Sequence, residues 1–266
     1  MTTDKDLLDG QLEHWQRTFV ANPEMYGPDP SEPGAYARDL FRREGMTDVL
    51  ELGAGQGRDT LAFLRAGLNV TALDYASDAL AGLERAAKAS GHRAQLTAVA
   101  HDVHQPLPLP DASVDGVYSH MLFNMALTMS ELDHLAAEVA RVLRPGGLHV
   151  YTVRHTGDAH YGAGTAHGDD MHENGGFIVH FFDRALVDRL TPGCTLLDVT
   201  EFEEGGLPRR LWRITLRRSE APAPVALTVR GGSRCRRARR NGGTPPPPPL
   251  SWGSTNPRTT TPCARR

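Results

Sequence analysis

Three glycines alternate with other residues in Glu51-Leu52-Gly53-Ala54-Gly55-Gln56-Gly57. Glycine lets the backbone turn tightly and pass close to a ligand without a side chain in the way. A helix starting at the end of such a turn offers free N–H groups and a partial positive charge. A nucleotide pyrophosphate or an amino-acid carboxylate would suit it. The nicotinamide fingerprint would need glycine at 58, where the chain has Arg58, and the Gly-Lys-Ser/Thr of a phosphate loop is absent. Further along, His155, His160, His167, His172 and His180 fall within 26 residues, among Asp158, Asp169, Asp170 and Glu173. Histidine titrates near neutral pH, so each is a candidate general base. Their gaps match no usual zinc spacing, and no metal site is expected. His155 leads the candidates because it lies just past a strand end, with His160 and His180 next. Arg154 is placed to bind a substrate anion.

These residues need elements to hold them. Helical spacing of apolar residues runs over 7–20 and again over 34–43, on either side of a Pro/Gly-rich loop. A short apolar strand, 48–52, enters the glycine turn, and a helix over 58–66 stops at Gly67. Strand 69–74, helix 77–89, strand 95–100, strand 113–119, helix 130–143 and strand 148–153 follow. A long Gly- and His-rich loop then runs from Arg154 to Phe177, with enough glycine to close over a substrate. A helix over 183–190 precedes two strands, 195–202 and 209–216, spaced as a hairpin. Such alternation predicts a parallel sheet with helices on both faces and a ligand site beyond the carboxyl ends of its strands.

An acid followed by Gly-x-Gly-x-Gly resembles motif I of the class I S-adenosylmethionine-dependent methyltransferases. Arg144-Pro145-Gly146-Gly147 and the Leu107–Asp115 segment resemble two later signatures of that family, and the likeness runs over residues 45–155. It implies an α/β, Rossmann-like doubly wound sheet, mostly parallel, of about seven strands with a C-terminal antiparallel hairpin. S-adenosyl-L-methionine is the implied cofactor. Glu51 would hold the methionine amino group, Gly53, Gly55 and Gly57 would line the cofactor, and Asp74 would accept the ribose hydroxyls. Tyr75 would pack on the adenine, Asp102 and Val103 would frame it, and His120 would sit near the methionine part. Arg58-Asp59 resembles the thiopurine and tellurite-resistance branch, in which an N-terminal Trp and another aromatic cover the cofactor. Trp15 and Tyr26 are the counterparts here. The implied activity is methyl transfer to a small-molecule nucleophile by in-line displacement. The alternative is a non-catalytic S-adenosylmethionine-binding sensor or partner subunit.

The net charge of −3 hides two unlike parts. From Ser219 on there are nine arginines and one acid, giving +8 against −11 for the rest. That tail is rich in Pro, Gly, Ser and Thr, cannot bury enough apolar surface to order itself, and is expected to be disordered. The chain thus divides into an N-terminal helical cap (1–44), a cofactor-binding domain (45–218) and the tail (219–266). An acidic body argues against a polyanionic substrate, and no Asn/Asp-Pro-Pro-Tyr/Phe motif follows the fourth strand, so nucleic acid is not the expected partner, the basic tail alone leaving room for one. Three scattered cysteines, no long apolar run and a polar N-terminus without a signal-peptide pattern point to the cytoplasm and away from a membrane.

Overall fold

The computed structural model describes residues 4–22, 27, 29–205 and 209–220. Tyr26 and residues 221–266 of the tail lie outside them. The chain runs α1 (Asp4–Ala21), α2 (Glu32–Arg43), β1 (Asp48–Leu52), α3 (Arg58–Arg65), β2 (Asn69–Asp74), α4 (Ser77–Ala89) and β3 (Leu96–Ala100). It continues through β4 (Val114–His120), α5 (Met129–Val142), β5 (Leu143–Arg154), β6 (Thr165–Gly168), β7 (Met171–Asn174) and β8 (Phe177–His180). It ends with α6 (Arg184–Arg189), β9 (Cys194–Glu204) and β10 (Arg209–Arg218).

Seven strands form one sheet in the order β3-β2-β1-β4-β5-β10-β9. The first five are parallel, and β10 runs antiparallel to both β5 and β9. The order reverses between β1 and β4, which opens a crevice beyond their carboxyl ends. Each central strand is buried on both faces. On one face Leu50, Leu52 and Val117 pack against Leu132, Leu135 and Val139 of α5. On the other, Val49, Val70 and Tyr118 pack with Phe41 of α2, Phe63 of α3 and Leu83 of α4. Each large side chain so buried contributes roughly 1.5–3 kcal/mol. Helix α5 starts at a capping box, Thr128 Oγ1 with the Glu131 amide and the Glu131 carboxylate with the Thr128 amide. Helix α2 starts at Ser31, whose hydroxyl accepts from the Gly34 amide.

The stretch expected to be a loop after β5 contains a second, three-stranded antiparallel sheet, β6-β7-β8. Its strands are four residues long, β6 and β7 without an apolar alternation and β8 a short apolar run, so periodicity does not reveal them. The turns define it. Asn174 pairs with Phe177 across Gly175-Gly176, both at positive φ (61° and 85°), as a two-residue type I′ hairpin requires. Gln11 of α1 lies on this sheet: its amide nitrogen donates to the Gly176 carbonyl at 3.0 Å and its oxygen accepts from the Ile178 amide at 3.1 Å. His14 and Trp15 pack on Phe177, with ring centroids 4.3 and 4.8 Å apart. Among the described residues no helix is long and apolar enough to cross a membrane.

Candidate active site

The crevice beyond β1 and β4 is a cavity walled by the glycine turn, the ends of β2, β3 and β4, the segment 121–127 and helix α1. Trp15, Glu51, Gly53, Gly55, Gly57, Asp74, Tyr75, Asp102, Val103 and His120 all line it.

The glycine turn is held from below. The Gly53 and Ala54 amides donate to the Leu73 carbonyl at 2.8 and 3.1 Å. The Gly55 amide donates to Asp74 Oδ2 at 2.7 Å, while Asp74 Oδ1 accepts from the Ala76 amide at 2.8 Å. Asp74 thereby ties the turn to the start of α4. Burial raises its pKa, and these amides oppose the rise. Gly57 caps α3 at φ 82°, and a Cβ there would sit 2.3 Å from Leu83 Cδ1, so the position admits only glycine.

Glu51 is buried and takes a 2.5 Å hydrogen bond from Thr60 Oγ1. Burial drives its pKa well above the usual carboxylate range, and neighbouring Asp59 pushes it further; the Thr60 bond opposes both. A carboxylate so placed favours a cation beside it. Asp59 belongs to a structural hub instead: it accepts from the Ser31 amide (2.7 Å), the Ser31 hydroxyl (2.8 Å) and the Tyr118 hydroxyl (2.9 Å). At the far end, Asp102 accepts from the amide and ring of His104. Burial would raise the Asp102 carboxyl, but these His104 contacts hold it below its usual range. His101 lines the same end, and its Nε2 is buried without a hydrogen-bond partner among the described residues. A ligand carrying a cation near Glu51 and ring nitrogens near His101 and Asp102 therefore suits the donor set.

The other end is different. His120 ends β4, and Met121 follows at φ 57°, a conformation that costs a non-glycine residue energy. Thr152 of β5 holds this kink: its hydroxyl oxygen accepts from the Met121 amide at 2.9 Å and lies 2.8 Å from His120 Nδ1. His120 Nε2 is 3.0 Å from Glu204 Oε2, at the end of β9. Arg58 Nη2 approaches the other Glu204 oxygen at 3.6 Å. Beyond His120 the wall is Met121, Leu122, Met125, Ala126 and Leu127, facing Gln11 and Trp15 of α1.

None of the three candidate catalytic histidines is among the residues lining the cavity. His155 stacks on Trp212, with centroids 4.6 Å apart and planes 7° from parallel, and its Nε2 lies 3.5 Å from Glu201. His160 Nδ1 is 2.7 Å from an Arg154 guanidinium nitrogen, and Arg154 is itself paired with the buried Asp158. His180 donates from Nδ1 to the Leu127 carbonyl at 2.9 Å. Burial lowers the pKa of His155 and of His180. Of these rings, His180 holds the wall of the site from behind, through Leu127. Among the described residues no cluster of His, Cys, Asp or Glu is arranged to hold a metal ion. Sequence reasoning passed over Gln11, His101, His104, Glu204 and the 121–127 wall. Only the position of that wall, directly after a strand end at the switch point, marks it in the sequence.

Residues 49–147 match the family model of a methyltransferase domain. No curated protein matches the chain. Several solved structures share the fold. The Burkholderia thailandensis 1,6-didemethyltoxoflavin-N1-methyltransferase, solved with 1,6-didemethyltoxoflavin and S-adenosylhomocysteine, has TM-score 0.64 at 18% identity, over 83% of this chain and 92% of its own. The N-methyltransferase NodS from Bradyrhizobium japonicum WM9, solved with S-adenosylhomocysteine, has TM-score 0.57 at 16% identity, over 79% and 97%. The [4+2]-cyclase SpnF has TM-score 0.60 at 18% identity, over 82% and 98%.

Proposed function

We propose that this chain is a class I S-adenosylmethionine-dependent methyltransferase that moves the methyl group of that cofactor to a small-molecule nucleophile by in-line displacement. The carrying observation is that one cavity joins an acidic, glycine-lined end to an apolar end roofed by α1. S-adenosylmethionine supplies a methyl group already activated by its sulfonium. The chain's own residues bind and orient. Glu51, buried beside the glycine turn, takes the ammonium group of the methionine part. Asp74 holds the turn with one lone pair on each oxygen and has others for ribose hydroxyls. Tyr75, Asp102, Val103 and His101 bracket the adenine. Trp15 and the 121–127 wall exclude water from the reacting atoms and keep the acceptor aligned, which is the larger part of what such a displacement needs.

The lining supports a compact acceptor over a nucleic acid, because the acceptor end presents apolar side chains and not a row of cations. Incubation with methyl-labelled S-adenosylmethionine and a panel of thiols, phenols, amines and oxyanions tests this. Labelled product together with S-adenosylhomocysteine is expected for at least one class. Tight cofactor binding with no turnover on any class would instead make the chain a sensor.

A further inference from the structure

Among the described residues, the acceptor end presents the polar side chains of Gln11, His120 and Arg58, and each is already engaged on protein partners. Gln11 holds β8 with both ends of its amide. His120 has a partner at each ring nitrogen. The proton arrangement follows from those partners. Burial would raise the Glu204 carboxyl, but His120 and Arg58 hold it below its usual range, so it is ionised and His120 Nε2 must carry the hydrogen. Thr152 Oγ1 accepts from the Met121 amide and fills His120 Nδ1 as well, either donating its own hydrogen to that nitrogen or accepting one from it. The ring therefore presents no lone pair to a ligand.

An acceptor that must lose a proton during transfer is poorly served here. A phenol or an alkylammonium needs a base. A thiolate or carboxylate would enter a site whose surroundings carry Glu51, Asp59, Asp74 and Glu204 against one lining arginine, Arg58, which already lies against Asp59 and Glu204, and it would be repelled. What remains is a nucleophile with its lone pair free before binding and no negative charge. Met121, Met125, Leu122 and Trp15 supply thioether, aliphatic and indole surfaces, which pack well on a flat π-system. We infer that the acceptor is a flat, uncharged heteroaromatic molecule attacking through an unprotonated ring nitrogen, with no protein base taking part. In the step, the nitrogen lone pair forms the new carbon–nitrogen bond as the carbon–sulfur bond breaks. The bond electrons stay on sulfur, and the positive charge passes from sulfur to the ring, still among the same carboxylates. This rests on the methyltransferase reading above.

Isoquinoline is the probe, against naphthol, naphthalenethiol and naphthoate of matched shape. Calorimetry on the full chain preloaded with S-adenosylhomocysteine is expected to show isoquinoline binding. Mass spectrometry is expected to show N-methylisoquinolinium, with kcat flat across pH once the free base predominates. Met125→Lys should weaken isoquinoline binding about tenfold or more, since the cation is driven into apolar wall. Met125→Leu should restore it, and cofactor affinity should stay within about threefold in both. Preferential turnover of naphthol or the thiol overturns the inference, as does a near-neutral pH limb in kcat that disappears in Glu204→Gln. Either result leaves the methyltransferase reading standing. Failure of the chain to bind S-adenosylmethionine or S-adenosylhomocysteine at all overturns that parent reading, and this one with it. Cofactor binding without isoquinoline binding overturns this one alone.

Discussion

Glu51 and His149 are both buried ionisable groups, yet they answer to pH in opposite directions. The Glu51 carboxyl titrates well above its ordinary 4.5, so the folded chain holds that proton more tightly than the unfolded chain does. Its share of stability therefore declines as pH rises above 4.5. A cation bound beside Glu51 lowers the pKa again, so cofactor binding should release a proton and tighten with rising pH. Titration calorimetry in two buffers of different ionisation enthalpy checks this. In Glu51→Gln the proton release should vanish, and affinity should fall about tenfold or more. His149 lies in the core between Phe123 and Tyr151, and burial pushes its ring from 6.5 down to about 3. Below 6.5 the unfolded chain binds the extra proton and the folded chain does not, so stability drops as pH falls toward 3. His149→Phe should flatten this acid limb, seen as a smaller gap between urea midpoints at about pH 7 and about pH 4.5. The slopes due to His155 and His180 would remain. Asp59→Ala would strand the buried Ser31 amide and leave the Ser31 and Tyr118 hydroxyls only each other as acceptors, and should cost about 3 kcal/mol in urea unfolding.

At the scale of elements, α1, β8 and the 121–127 wall form one chain of contacts. Gln11 joins α1 to β8, and the His180 amide and ring join β8 to the carbonyls of Asn124 and Leu127. Gln11→Leu should raise amide exchange across α1 by an opening free energy of about 1–2 kcal/mol, and weaken cofactor binding through Trp15, while the exchange of β1 and β4 amides stays as it was. This linkage also shows where sequence reading stops. The glycine turn, Asp74 and Asp102 are legible because each lies at the end of a strand whose apolar run is local. The short sheet is not, since β6 and β7 have no apolar period, although Gly175-Gly176 between two four-residue runs is a hairpin signal that the sequence does carry. The histidines lie off the cavity for another reason. Residue type announces their capacity to titrate, but their partners, such as Leu127 for His180 and Trp212 for His155, lie 53 and 57 positions away in the chain and leave no mark beside them. Glu204 is hidden the same way, 84 positions from the His120 ring it holds.

For the whole molecule, all seven strands of the main sheet are complete by Arg218. A chain ending at Glu220 should therefore unfold at the same midpoint as the full chain, within about 2 °C by calorimetry, and bind cofactor equally well. The sheet order carries a different consequence for how this chain acquires its shape. The last strand of this sheet to be synthesised, β10, is not an outer one; it fills the position between β5 and β9. Until it arrives, β5 presents an open row of amides and carbonyls, and β9, made earlier, has no neighbour to join. Assembly must therefore wait for its final piece, which makes the late, non-local pairing of β10 with β5 the slow event and the half-built edge the place where two nascent copies would stick together.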